Sequence, residues 1–197
     1  MSSGFSTAPH PLLEPVEIPL DWADDPVPRH VDALLLDAEA DLADLEDTDS
    51  TGRFVASDYR WAWQILARWR RAGLLAPGDA FLEWGCGQGV VTLLAALLGL
   101  DAIGIDANPG LVAAARALAR RHGIPRARFL RATWPDPVPP APGLPVVDAA
   151  SYRVVYAYPW PGEEDAFLRR FAASATPNAL LLLALGPLDA LAYRRRL

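Results

Sequence analysis

The chain predicts an α/β fold, a doubly wound, mostly parallel sheet, and three observations carry that prediction. Short apolar runs alternate with longer amphipathic ones from residue 58 to residue 185, the order in which parallel strands receive crossover helices. Two of the short runs, FLEW at residues 81–84 and AIGI at residues 102–105, are joined by the glycine-rich GCGQG and a further apolar stretch. Residues 179–185, ALLLLAL, carry no polar side chain, as a strand covered on both faces requires. At 197 residues, 52% of them hydrophobic, the chain can bury one core.

The N-terminal part differs in character from the rest. Residues 1–52 hold thirteen acidic residues against Arg29 alone, whereas residues 53–197 hold eleven against seventeen arginines. This change marks a boundary between an acidic, proline-rich arm at 1–52 and the main domain at 53–197. Pro9, Pro11, Pro15, Pro19, Pro26 and Pro28 favour extended backbone. Val31, Leu35, Ala38, Leu42 and Leu45 then predict an amphipathic helix over residues 31–46. Its acidic face reads most simply as solvated surface, with cover for the basic domain or mimicry of an anionic substrate as the sharper alternative. The opening MSSGFSTAPHPLLEP has neither the basic nor the apolar region of a signal peptide, and no run approaches membrane-spanning length, so a cytoplasmic location is expected.

Ser57 is the expected N-cap of a helix over residues 58–71. Tyr59, Ala62, Trp63, Leu66 and Trp69 form one stripe while Trp61 and Ile65 lie outside it, which predicts a helix sandwiched between the sheet and the acidic helix. Residues 81–84 are the first strand of the main domain, 90–98 a buried helix stopped at Gly99, and 102–105 the second strand, ending in Asp106. Asn108 and Pro109 open a helix that ends near His122-Gly123, and 127–132 is the third strand. A proline-rich linker over 135–145 leads to a fourth strand at 152–156 and the loop AYPWPG. Residues 163–173 form a helix with acids at its start and arginines toward its end, and 179–185 form the fifth strand.

Chemistry concentrates at Gly85-Cys86-Gly87-Gln88-Gly89. Glycine tolerates positive φ and lacks a Cβ, so the backbone can turn sharply and approach a ligand, while the following helix offers unpaired N–H groups. Asp106, at the carboxyl end of the neighbouring strand, can accept hydrogen bonds from ribose hydroxyls. A nucleoside-containing ligand at the crest of the sheet follows. It is not a dinucleotide on the usual fingerprint, because the sixth position counted from Gly85 is Val90, and the lysine-bearing phosphate loop is absent from a chain without lysine. Glu83 beside the loop would repel a pyrophosphate and suits an ammonium or sulfonium group. The lone Cys86 forms no intrachain disulfide or metal cluster and reads as a small loop residue rather than a reactive thiol.

The pattern E-x-G-x-G-x-G formed by Glu83, Gly85, Gly87 and Gly89 resembles the first motif of the class I S-adenosylmethionine-dependent methyltransferases, with Asp106 following. The resemblance implies S-adenosyl-L-methionine as cofactor, the loop passing beneath it through Gly85, Cys86, Gly87 and Gly89, Glu83 complementing its charged end, and Asp106 with Ala107 at the ribose. The family often has an acidic or amide group after the third strand; here Thr133 and Trp134 stand there, with Asp136 nearby. Phe54, Ser57, Asp58 and Tyr59 match the segment that closes over the cofactor. The YPWP loop, with Tyr156, Tyr158 and Trp160 as substrate-pocket candidates, resembles the amino-methylating motif only in its prolines and aromatics and lacks its amide or carboxylate. No catalytic base or metal ligand set is evident, Tyr158 being a distant candidate, and His10, His30 and His122 lie away from the crest. The implied activity is methyl transfer to an unidentified acceptor, a small molecule or a protein, with nucleic acid disfavoured by the acidic N-terminus. A non-catalytic interaction protein with the same fold is the alternative, and the break at Val90 argues against a nucleotide-dependent oxidoreductase. Only twelve residues follow Leu185, so the usual closing helix and antiparallel hairpin are expected to be missing, with at most one last strand at 188–193.

Overall fold

The computed structural model of the protein describes residues 10–48, 56–134 and 143–197. Its elements run β1 (Leu13–Val16), a 3-10 turn (Leu20–Asp24), α1 (Arg29–Thr48), α2 (Tyr59–Arg71), β2 (Ala80–Trp84), α3 (Val90–Leu97), β3 (Asp101–Asp106), α4 (Pro109–Arg121), β4 (Ala127–Arg131), β5 (Val154–Ala157), α5 (Glu164–Ser174), β6 (Leu180–Gly186) and β7 (Asp189–Arg195). One seven-stranded sheet has the order β1-β7-β6-β5-β2-β3-β4. The five strands from β6 to β4 are parallel, with Glu83 opposite Gly104 on β3 and opposite Tyr156 on β5. Strand order reverses at β2, which places a crevice above its carboxyl end, where open α/β sheets bind ligands.

Helices cover both faces, as the doubly wound prediction required. One core holds Val31 and Leu35 of α1, Leu66 and Trp69 of α2, Leu93 and Leu94 of α3, and Val112 and Ala115 of α4. The opposite face is closed by α5 through Phe167, Leu168 and Phe171, packed on Leu82, Val155 and Leu181. Asp58, not Ser57, caps α2, its side chain accepting from the Trp61 amide at 3.0 Å. Both apolar faces of α2 are used: Trp61, Ile65, Leu66 and Trp69 are all buried. No helix among the described residues is long and apolar enough to cross a membrane.

After β6 the chain adds the one last strand expected near residues 188–193 and no closing helix. Chain direction reverses through Pro187 and Leu188, and β7 returns antiparallel to β6 with no helix between them. The place outside β7 is taken by β1, antiparallel to it, with Leu13 opposite Arg195 and Val16 opposite Ala192. An unpaired strand edge exposes a row of N–H and C=O groups, and here the N-terminal segment supplies the partners. The described part of the acidic segment is thus built into the sheet and core rather than appended to them: Leu13 is 1% exposed.

The acidic segment also faces the arginines. Asp25 pairs with Arg68 at 2.5 Å and with Arg71, Asp32 with Arg60 at 2.6 Å, and Asp41 with Arg121 at 2.5 Å, while Asp37 meets His122 at 2.9 Å. Cover for the basic domain, rather than free solvated surface, describes these contacts. Most of the groups are half-exposed, and such pairs orient α1 more than they stabilise it.

Candidate active site

The loop after β2 is shaped by three left-handed glycines, Gly85 at φ 73°, Gly87 at φ 53° and Gly89 at φ 80°. They do different things. A Cβ on Gly85 would meet nothing within 4 Å, so this turn is open toward the crevice. A Cβ on Gly89 would lie 2.3 Å from the Phe129 ring and 2.8 Å from the Ala115 Cβ, so the third glycine lets α3 sit against α4 and β4. Cys86 is stitched to β3 by its amide, which donates to the Ile105 carbonyl at 2.8 Å. Its thiol is buried, and burial pushes it well above the ordinary cysteine range, against a nucleophilic role.

Asp106 stands at the crest. One carboxylate oxygen accepts the Gly87 amide at 3.0 Å and the other the Asn108 amide at 2.8 Å. These two backbone bonds fix the plane of the carboxylate against the loop. Asn108 in turn caps α4 through the Gly110 amide at 2.8 Å, and Pro109 occupies the first helical position, where its missing N–H costs nothing. Ala107 is exposed beside it, its carbonyl accepting from Arg131.

Glu83 lies beneath the loop, 4% exposed. One oxygen accepts from both the Thr92 amide at 2.8 Å and the Thr92 hydroxyl, so the carboxyl holds the first turn of α3. Burial raises it to about 8, the Thr92 bonds oppose the rise, and the charge of Asp106 adds to it. Thr92 is the single polar residue in the helix VVTLLAAL, a signal that it answers a buried partner. Gly104 belongs to the same arrangement: a Cβ there would lie 2.6 Å from the Thr92 hydroxyl and 2.8 Å from the Cys86 Cβ. A glycine inside a strand is the mark of such close approach.

Other candidates sort into two groups. The Tyr59 hydroxyl accepts from Gln88 Nε2 at 3.4 Å, and burial pushes its phenol upward. Ser57 bonds the Tyr156 hydroxyl, and Asp58 accepts the Leu188 amide at 3.4 Å. The segment entering α2 therefore touches the glycine loop, β5 and the β6–β7 turn together. Tyr156, expected in the substrate pocket, is 1% exposed and part of the core. Tyr158 is half-buried against the same core, and Trp160 is exposed on the following loop. Thr133 is pinned beside Val146, and Trp134 lies on the opposite face of the sheet, its ring 4.5 Å from that of Phe167. Phe54 and Asp136 fall outside the described residues.

Residues 81–178 match the family model of the Methyltransferase domain. Ribosomal protein L11 methyltransferase of Thermus thermophilus is 39% identical over 83 residues, which are 42% of this chain and 30% of that protein. The chain spans about a third of the length of the curated relatives it matches. Among solved structures, an RNA methyltransferase from Salinibacter ruber in complex with S-adenosyl-L-homocysteine aligns at TM-score 0.50 and 18% identity, over 66% of this chain and 88% of that one. The S-adenosylhomocysteine-bound methyltransferase PaMTH1 of Podospora anserina aligns at TM-score 0.52 and 11% identity, over 80% of this chain and 62% of that one. With the motif from Glu83 to Gly89, this sheet and the matched domain, the chain belongs to the class I S-adenosylmethionine-dependent methyltransferases.

Proposed function

We propose that the protein transfers a methyl group from S-adenosylmethionine to an acceptor seated beside the loop that follows β5. The observation that carries this reading is the bond from the Gly87 amide to Asp106, which sets a carboxylate at the rim of a glycine loop open toward the crevice. The residues present fit the cofactor. Asp106 would hold the ribose with Ala107 beside it, the backbone of residues 85–89 would lie beneath the methionine end, and Thr133 would border the adenine side. When bound, the cofactor supplies an activated methyl on sulfonium. The chain aligns the acceptor and excludes water. Glu83 acts here by holding α3 and the loop through Thr92. Tyr158 and Trp160 stand where the acceptor approaches, and no side chain is assigned as general base.

Residues 53–197 would carry the transfer machinery, and residues 1–52 would complete its sheet and cover its arginines. The relatives named for ribosomal protein L11 support a protein acceptor. Calorimetry with S-adenosylmethionine, S-adenosylhomocysteine and NAD tests the reading: the first two bind and NAD does not. Asp106→Ala weakens S-adenosylhomocysteine binding by roughly tenfold or more, the loss of hydrogen bonds to a charged group. Binding of none of the three overturns the proposal in favour of an interaction protein. Isotopically labelled cofactor incubated with fractionated extract then identifies the acceptor by the fraction that takes up label.

A further inference from the structure

Gln88 stands inside the glycine loop and is not one of the motif's glycines or acids. It is 1% exposed, yet only one end of its amide is engaged: Nε2 donates to the Tyr59 hydroxyl at 3.4 Å. Its Oε1 is buried with no hydrogen-bond partner among the described residues. A buried amide oxygen without a donor costs about 1–3 kcal/mol, so such an atom calls for an explanation at a ligand site. The Asp106 carboxylate accepts the amide of Gly87, the residue before Gln88, so an anion stands at the same loop and favours a cationic donor.

On the reading of this loop as the S-adenosylmethionine site, we propose that Gln88 is a specificity residue whose Oε1 accepts a hydrogen bond from the α-ammonium of the cofactor's amino-acid end. At that end of the molecule the sulfonium has no hydrogen on a heteroatom and the carboxylate is an acceptor, so the ammonium alone can satisfy the oxygen. The other end of the same amide rests on Tyr59, the first residue of α2. Gln88 thus joins recognition of the amino-acid end to the placement of α2 over the loop.

The test compares two ligands on the full chain. S-adenosylhomocysteine has the ammonium; 5′-methylthioadenosine has the nucleoside and sulfur but no amino-acid end. Gln88→Met keeps the length of the side chain and removes the acceptor. The expected result is an S-adenosylhomocysteine Kd raised roughly tenfold with the 5′-methylthioadenosine Kd unchanged within twofold, the loss of a hydrogen bond to a charged group. Retained 5′-methylthioadenosine binding also shows that the variant is folded. Equal binding of S-adenosylhomocysteine by the variant and the natural chain overturns the role of Gln88 and leaves the proposed function standing. An equal loss of both ligands overturns it as well, since a purely structural residue behaves that way. A natural chain that binds neither ligand removes the proposed function and this role together.

Discussion

The centre of the sheet and its hairpin edge reach the same regular pairing by opposite routes. At the centre, β2, the glycine loop, α3 and β3 follow one another in sequence, and the contacts that define them lie within that stretch: Glu83 to Thr92, Gly87 to Asp106, Cys86 to Ile105. At the edge, β7 is held between β6 and a strand from the other end of the chain, Leu13 opposite Arg195. The centre contains buried polar groups whose partners are fixed by close backbone approach. The edge is held by ladder bonds and apolar burial, with Glu14 and Arg194 paired at its surface, 3.3 Å apart. Local determinants build the site, and long-range closure completes the body that carries it.

The comparison breaks most severely at Gly89. Its valine variant combines a left-handed φ with a Cβ 2.3 Å from the Phe129 ring and 2.8 Å from Ala115, neither able to yield without moving β4 or α4. A loss of more than about 4 kcal/mol is expected in urea unfolding, in the class of overpacked core substitutions. Gly85→Ala, two turns of the same loop earlier, has open space and only the φ cost, about 1 kcal/mol. Equal losses at the two sites would refute the division between a packing glycine and a ligand-side glycine.

Glu83 gives the next largest effect. The folded carboxyl titrates near 8 and the ordinary one near 4.5, so between these values the folded chain holds a proton that the unfolded chain has released. Stability from this group falls as pH rises through that window and is level above it. Between pH 5 and 8 the natural chain is expected to lose on the order of 3 kcal/mol relative to Glu83→Gln, which cannot titrate and keeps an acceptor for Thr92. Parallel pH profiles of the two proteins would show that the carboxyl is ionised in the fold.

Legibility in the sequence follows the same division. The glycine loop, its flanking strands and Asp106 were readable because each signal lies within a few residues of the one it answers. Thr92 and Gly104 were equally local but went unread: a lone hydroxyl in an apolar helix and a glycine inside a strand are informative only once Glu83 is known to point between them. β1 had no such signal. LEPV is short, contains a proline and lies in an acidic, proline-rich stretch, and its pairing with β7 depends on a register that periodicity does not encode. β7 lies where the sequence expects one last strand, but the strand outside it comes from the other terminus, which a count forward from Leu185 cannot reveal. Nothing in the sequence near Tyr156 shows that it is 1% exposed, opposite Glu83 on β5 with its hydroxyl bonded to Ser57, because these partners come from distant segments.

Leu13→Ala sharpens the edge side of the comparison. A strand merely laid against the sheet would lose a few tenths of a kcal/mol; a side chain 1% exposed in the second core is expected to cost about 2–3 kcal/mol. Unfolding should remain a single transition with cofactor-product binding unchanged below it, because the edge stabilises the site without touching it. A separate early transition would instead make residues 10–48 an independent unit.

The smallest expected effect lies where the two regions meet. The Tyr156 hydroxyl, on a strand beside β2, bonds Ser57, which enters α2 next to Asp58 and its contact with the β6–β7 turn. Tyr156→Phe deletes one buried hydroxyl and leaves Ser57, only half-buried, able to recover water, so about 1 kcal/mol is expected. The single variant cannot separate that bond from the loss of the hydroxyl itself. The cycle with Ser57→Ala can: if the two groups act through each other, the double variant costs less than the sum by about 1 kcal/mol. Additive losses would mean that the bond between Ser57 and Tyr156 takes no part in placing α2.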